Sequence, residues 1–280
     1  MSLSRGVRRS LFILCLFILV AGMSAQAAAS EYEPRVGQDG KDVIWVPTCQ
    51  DLVDNMLNMA QVTPKDYVID LGSGDGRLVI TAAKRGARAL GIEYNPDMVA
   101  FSKRLAAKEG FAEKVKFVQG DIFESDFSQA TVITMFLMPE INLKLRPRIL
   151  DLKPGTRIVS NSFNMGDWAP DETASVDPTK EGCETYNTAN FWIVPAKVEG
   201  TWTLPQGQLT LKQNFQEISG TLKSAKNTTP VTGKLRGDVI TFSAGPAKYT
   251  GRVSGKTLEG TFESTGKAVP SNGTRVGKAL

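Results

Sequence analysis

At 280 residues, with 41% hydrophobic and 22% charged side chains, the chain is long enough for one full α/β domain plus a smaller unit, and its composition is ordinary for a globular protein. It contains no histidine, which excludes Ser-His-Asp and Cys-His nucleophilic triads, histidine general bases and every His-containing zinc site. The net charge of +4 is unevenly spread. Residues 1–27 carry three arginines and no acids, residues 28–200 carry 19 basic and 25 acidic residues, and residues 201–280 carry 11 basic and 4 acidic; the acidic middle suits nucleic acid poorly.

The N-terminus has the order of an export signal: Arg5, Arg8 and Arg9, the apolar run Leu11 to Val20, then Ala25-Gln26-Ala27 as an A-x-A cleavage site. Residues 1–27 are expected to be a signal peptide directing the protein to the periplasm or envelope, with an uncleaved membrane anchor as the alternative. Residues 28–45 are expected to be a linker. Of the cysteines, Cys15 lies in the signal, and Cys49 and Cys183 are too few for a four-cysteine metal site. They are expected to be unpaired and partly buried, with pairing in an exported protein as the alternative.

A helix is expected over Gln50 to Ala60, capped by Thr48. From Val68 to Val159 short β-branched runs alternate with helical stretches, the signature of βαβ units and a parallel sheet. The expected strands are Tyr67 to Leu71, Ala89 to Glu93, Val115 to Gln119, Thr131 to Phe136 and Thr156 to Asn161; the helices between them are Arg77 to Arg85, Pro96 to Glu109 and Pro139 to Leu150. Pro96 and Pro139 suit the first turn of a helix. Asn190 to Val194 is read as a last strand of the same sheet. After about Lys197 short strands separated by Gly, Asn, Asp and Pro turns, from Gln208 to Glu263, indicate an antiparallel meander or small barrel. The expected division is residues 46–197 and residues 198–280.

Val68-Ile69-Asp70-Leu71-Gly72-Ser73-Gly74-Asp75-Gly76-Arg77 is an apolar strand ending in an acid, a glycine-rich turn and a helix start. A loop that meets a ligand closely needs glycines, because a Cβ would collide and because the turn needs angles other residues avoid. Glu93 follows Asp70 by 23 residues, where a carboxylate can accept both ribose hydroxyls of an adenosine. The spacing Gly72-x-Gly74-x-Gly76 departs from the dinucleotide pattern, and Asp75 would repel a pyrophosphate at the helix start.

With these motifs, and with Val46-Pro47-Thr48, Gly91-Ile92-Glu93-Tyr94-Asn95-Pro96, Gly120-Asp121-Ile122-Phe123 and Phe136-Leu137-Met138-Pro139, the chain resembles class I methyltransferases that use S-adenosylmethionine (SAM). Within them it is most similar to the seven-β-strand protein lysine N-methyltransferases related to the mitochondrial enzymes for the adenine nucleotide translocase and the ATP synthase c-subunit. The matching stretches run from about Trp45 to Trp168. The resemblance implies a Rossmann-like doubly wound α/β sheet followed by the small antiparallel unit. It implies that Asp70 and the loop Gly72, Ser73, Gly74, Asp75 and Gly76 surround the methionine part of SAM and that Glu93 holds the ribose. Asp121 would accept the adenine amino group between Ile122 and Tyr94, and Thr48 would reach the SAM carboxylate. Read without the resemblance, Asp121 is a turn residue.

The acceptor side is expected at Phe136, Met138, Pro139 and Glu140, with core packing an equal reading for Phe136 and Met138 and a first-turn helix carboxylate for Glu140. The stretch lacks the Asn/Asp-Pro-Pro-Tyr of many nucleic-acid methyltransferases. The expectation is a protein lysine as acceptor, a membrane or envelope protein included, with no nucleic acid and no metal. A small-molecule methyltransferase and a noncatalytic SAM-fold binding protein of the envelope are the alternatives. An exported enzyme would work away from the cytoplasmic SAM supply, so methylation outside, methylation before export and binding without turnover all stay open.

Overall fold

The computed structural model describes residues 31–277; the expected signal peptide, residues 1–27, and Cys15 lie outside the described residues. From Pro34 onward the chain forms one compact unit containing two sheets. The first sheet comprises β1 (Tyr67–Leu71), β2 (Arg88–Glu93), β3 (Val115–Gln119), β4 (Val132–Met135), β5 (Arg157–Asn161), β6 (Glu172–Ser175) and β7 (Thr188–Ile193), in the order β3-β2-β1-β4-β5-β7-β6. β1 to β5 are parallel, and β7 runs antiparallel to both β5 and β6.

The described helices α1 (Gln50–Met59), α2 (Arg77–Lys84), α3 (Pro96–Lys108) and α4 (Pro139–Leu150) cover both faces. Successive strand residues point to opposite faces. Val68 and Val132 therefore join Leu52, Val79 and Val99 of α1, α2 and α3 in one core, while Ile69, Leu71 and Ile133 join Leu145 and Ile149 of α4 in the other. Burial on both faces is why β1 and β4 read as continuous apolar runs rather than alternating ones. The architecture is the doubly wound α/β sheet expected from the sequence, with a separate antiparallel unit after it.

That second sheet starts with β8 (Gly200–Leu204). β9 (Gly207–Asn214), β10 (Glu217–Lys223), β11 (Thr228–Arg236), β12 (Val239–Ala244), β13 (Ala247–Ser254) and β14 (Thr257–Ser264) follow as an antiparallel meander. β15 (Lys267–Pro270) and β16 (Gly273–Arg275) both pair with β14, and β16 pairs back onto β8 through Arg275 opposite Trp202, closing a barrel. Trp202, Leu209, Leu235, Ile240 and Tyr249 fill its interior, so this barrel has a core and not a channel. At Gly233 a Cβ would stand 2.1 Å from the Thr241 carbonyl oxygen; glycine there lets the strand bend toward closure. The barrel meets the first sheet where Phe215 stacks on Trp168 at 5.9 Å between centroids, Gln216 Nε2 donates to the Ala169 carbonyl at 2.9 Å and Arg236 pairs with Glu172 at 2.9 Å.

Several local expectations are corrected. Cys49 and Cys183 form a disulfide, with Cα atoms 5.4 Å apart; the fold brings α1 against the segment before β7, which sequence distance hid. The N-cap of α1 is Cys49, without a side-chain bond. Thr48, one residue outside, accepts a hydrogen bond from Asn161 Nδ2 at 3.1 Å. β6 was not anticipated, because Glu-Thr-Ala-Ser on an exposed edge carries no apolar alternation. Residues 37–45, expected within a linker, fold into a hairpin in which the Gly37 amide donates to the Trp45 carbonyl and the Trp45 amide to the Gln38 carbonyl.

Candidate active site

Strand order reverses about β1 and β4, where crevices open at the carboxyl ends of parallel strands. A cavity of about 470 Å³ lies there, roofed by the 37–45 hairpin. β1 ends at Leu71, and the chain turns into α2 through Gly72 (φ 76°), Gly74 (φ 50°) and Gly76 (φ 82°), left-handed angles that favour glycine. At Gly74 a Cβ would also stand 2.5 Å from Trp45 Nε1 of the hairpin. The amides of Gly72 and Ser73 donate to the Ile92 carbonyl, and that of Gly74 to Glu93 Oε2 at 2.9 Å. The end of β2 therefore sets the height of the loop.

The carboxylates divide the labour. Asp70 is buried and accepts from Thr134 Oγ1 at 2.6 Å on the neighbouring strand. Burial pushes its pKa up to about 7 against that hydrogen bond, and the charges of Asp75 and Glu93 add to the rise. Asp75 is held by Arg77, with Nε 2.9 Å from Oδ2, so it braces the helix start. Glu93 accepts one backbone amide on each oxygen, Gly74 on Oε2 and Asn95 on Oε1; each oxygen keeps a lone pair for another donor. Asp121 accepts from Lys41 Nζ at 2.6 Å and from the Phe123 amide at 2.8 Å. The Lys41 hydrogen bond, then the Phe123 amide, hold its carboxyl below the usual range, and the same contact raises Lys41.

The far end of the cavity is apolar. Phe136 leaves β4, Phe163 follows β5 and Tyr186 precedes β7, and all three line it with Leu137, Met138 and Ile141. The Phe136 ring lies 5.0 Å from Tyr186 and 6.0 Å from Phe163, with Phe163 and Tyr186 5.9 Å apart.

Of the residues singled out in the sequence, Thr48, Asp70, Gly72, Ser73, Gly74, Asp75, Glu93, Tyr94, Asp121, Ile122, Phe136 and Met138 line this one cavity. Gly76, the N-cap of α2, instead packs against β3, where a Cβ would strike Phe117 at 2.6 Å. Pro139 and Glu140 form the first turn of α4 and do not line it. Lys41, Trp45, Phe163 and Tyr186 were missed. For Lys41 and Trp45 the signal was an aromatic and a cation in a presumed linker; the two rings carry no local pattern.

The chemistry of the lining fits SAM. A carboxylate-rich end suits a sulfonium and an ammonium, Glu93 and Asp121 suit a ribose and an adenine amine, and the buried Ser73 Oγ has no hydrogen-bond partner among the described residues.

The family model described as the ANTKMT methyltransferase domain matches residues 70–172. A protein-lysine N-methyltransferase of Saccharolobus islandicus (strain REY15A) is 42% identical over 138 residues, 48% of this chain and 86% of that protein. The ATP synthase c-subunit lysine N-methyltransferase of Mus musculus is 30% identical over 186 residues, 66% of this chain and 71% of that protein. Among solved structures, an RNA methyltransferase from Salinibacter ruber in complex with S-adenosyl-L-homocysteine shares 46% identity, covering 55% of this chain and 96% of that one, with a TM-score of 0.51.

Proposed function

This chain belongs to the SAM-dependent protein-lysine N-methyltransferase family, and we propose that it methylates the lysine amino group of a membrane or envelope protein. The observation that carries the reading is one cavity with two unlike ends, carboxylates beneath β1 and β2 and aromatic side chains beneath β4, β5 and β7. Bound SAM supplies the electrophilic methyl group. Asp70, residues 72–75 of the loop, Glu93 and Asp121 would fix its position, and the hairpin over the loop would exclude water. Methyl transfer is an in-line displacement, so alignment supplies most of the rate. A lysine entering an apolar pocket sheds its proton more readily than in water, and no protein base is strictly required.

The Salinibacter ruber protein is described as an RNA methyltransferase. Here the acidic stretch of residues 28–200, with 19 basic against 25 acidic residues, and the apolar acceptor end favour lysine over a nucleobase. Export by residues 1–27 belongs to the same proposal and is supported by the Cys49–Cys183 disulfide, since such bonds persist in oxidising compartments. The barrel, with its excess of basic residues, would then serve location or partner choice. The test is incubation of cell-envelope extract with labelled SAM and the purified protein. Label on lysine of an envelope protein is expected; label confined to RNA or to small molecules would overturn the acceptor assignment.

A further inference from the structure

Three rings from separate parts of the chain meet at the apolar end of the cavity, and none of them is among the residues proposed to hold SAM. Phe136, Phe163 and Tyr186 come from the ends of β4, β5 and β7, which are neighbours in the sheet. Each ring is half-buried, packed on the other two and lining the cavity. An aromatic cluster serving only the core is sealed, as Trp168 and Trp192 are at 0% exposure; this one is not.

Two devices hold the rings in place. Ser162, immediately before Phe163, has φ 56°, and the Phe163 amide donates back to the Asn161 carbonyl at 2.6 Å. A non-glycine residue held there is strained, and such strain persists where the surroundings impose it. Tyr186 lies three residues past Cys183, whose disulfide to Cys49 ties the segment to the start of α1. Asp70, Asp75, Glu93 and Asp121 all sit at the other end, on the β1, β2 and β3 side.

We propose that Phe136, Phe163 and Tyr186 form the acceptor site, a ring surface that takes the lysine side chain and retains it as a methylated ammonium for further rounds of transfer. This rests on the methyltransferase reading above and names how its acceptor is held. In each round the lysine nitrogen lone pair bonds to the methyl carbon, and the carbon–sulfur bond breaks with its electron pair passing to sulfur. The positive charge thus moves from sulfur to nitrogen, and the new ammonium gives a proton to water before the next round. Aromatic faces attract a cation without accepting its proton, and they favour methylated ammonium, which is poorly hydrated. A carboxylate in the same place would hold the amine protonated and unreactive.

The test is calorimetric titration, with S-adenosylhomocysteine saturating, of Nα-acetyl-lysine methylamide probes. One carries a trimethylated amine, and the other carries a neutral tert-butyl group of the same shape. The trimethylated probe is expected to bind roughly five-fold or more tightly than the neutral one, the usual worth of a cation on aromatic faces. Tyr186→Leu and Phe163→Leu should remove that preference, Tyr186→Phe should keep it, and none of the three should change S-adenosylhomocysteine affinity. Equal binding of the two probes to the wild-type protein, a comparison that needs no variant, would overturn the proposal; so would an undiminished preference in both leucine variants. Failure of the wild-type protein to bind S-adenosylhomocysteine would instead overturn the methyltransferase reading, and the acceptor site with it.

Discussion

Beneath β1, β2 and β3 the cavity presents Asp70, Asp75, Glu93 and Asp121, each a few residues from the end of its strand, whereas beneath β4, β5 and β7 it presents Phe136, Met138, Phe163 and Tyr186. A methyl donor of fixed shape and charge can be held by carboxylates and backbone amides. An acceptor amine must arrive neutral, and a fixed anion beside it would hold it protonated. On the proposed function the contrast matches the two partners of one displacement. It also separates the variants that remove the donor from those that remove the acceptor.

The largest effect is expected at the donor end. Gly74→Arg places a side chain on a residue at φ 50°, with its Cβ 2.5 Å from Trp45 Nε1, so it should weaken SAM binding by at least about a hundredfold, some 3 kcal/mol, while circular dichroism stays native. Calorimetry returning the wild-type affinity would sink the assignment of the loop. At the acceptor end, Cys183→Ser frees the segment before Tyr186. Loss of the Cys49–Cys183 link, with a sequence separation of 134, should cost about 2–5 kcal/mol of stability in denaturant titrations. Affinity for the trimethylated probe should fall while S-adenosylhomocysteine binding changes little; an equal loss of both would mean that the disulfide serves the cavity as a whole.

The two ends also differ in how far the sequence reveals them. The carboxylate end of the cavity was legible because each residue stands at or just after the end of its strand: Asp70 closes an apolar run, Glu93 closes the next strand and Asp121 follows the third. Backbone demands at Gly72 and Gly74 also write themselves as residue identity. Phe163 and Tyr186 looked like any half-buried aromatics, because their meeting depends on β7 inserting antiparallel beside β5. The disulfide was equally hidden, since pairing is a matter of Cα distance. Lys41 escaped because its partner Asp121 lies 80 residues away. The barrel's strands were visible in their alternation, while its closure by the three-residue β16 was not.

A smaller effect sharpens the donor end. Glu93→Ala removes the acceptor of the Gly74 and Asn95 amides along with the expected ribose contact. SAM binding should weaken by about 1.5–3 kcal/mol, the worth of hydrogen bonds to a charged group. A loss below roughly 0.5 kcal/mol, the least expected of one hydrogen bond, would mean that Glu93 only braces the loop.

The smallest effect is a pH dependence at Asp70. Its folded, cofactor-free pKa of about 7 lies above the ordinary 3.8, so between these values the folded state keeps a proton that the unfolded chain has lost. The group's contribution to stability therefore falls as pH rises from about 4 to about 7 and is level above that. A cationic cofactor favours the ionised carboxylate. Below pH 7 binding must then expel the proton, and affinity should fall by up to about tenfold for each further unit of acidity. Titrations at pH 6 in two buffers of different ionisation enthalpy should report net proton release for the wild-type protein and little for Asp70→Asn. Equal release from both would assign the proton elsewhere. Over the same range the acceptor end should show no such dependence. The trimethylated probe cannot lose its cation, and the rings of Phe136 and Phe163 do not titrate, so its affinity should hold steady from pH 6 to pH 8 while that of SAM climbs.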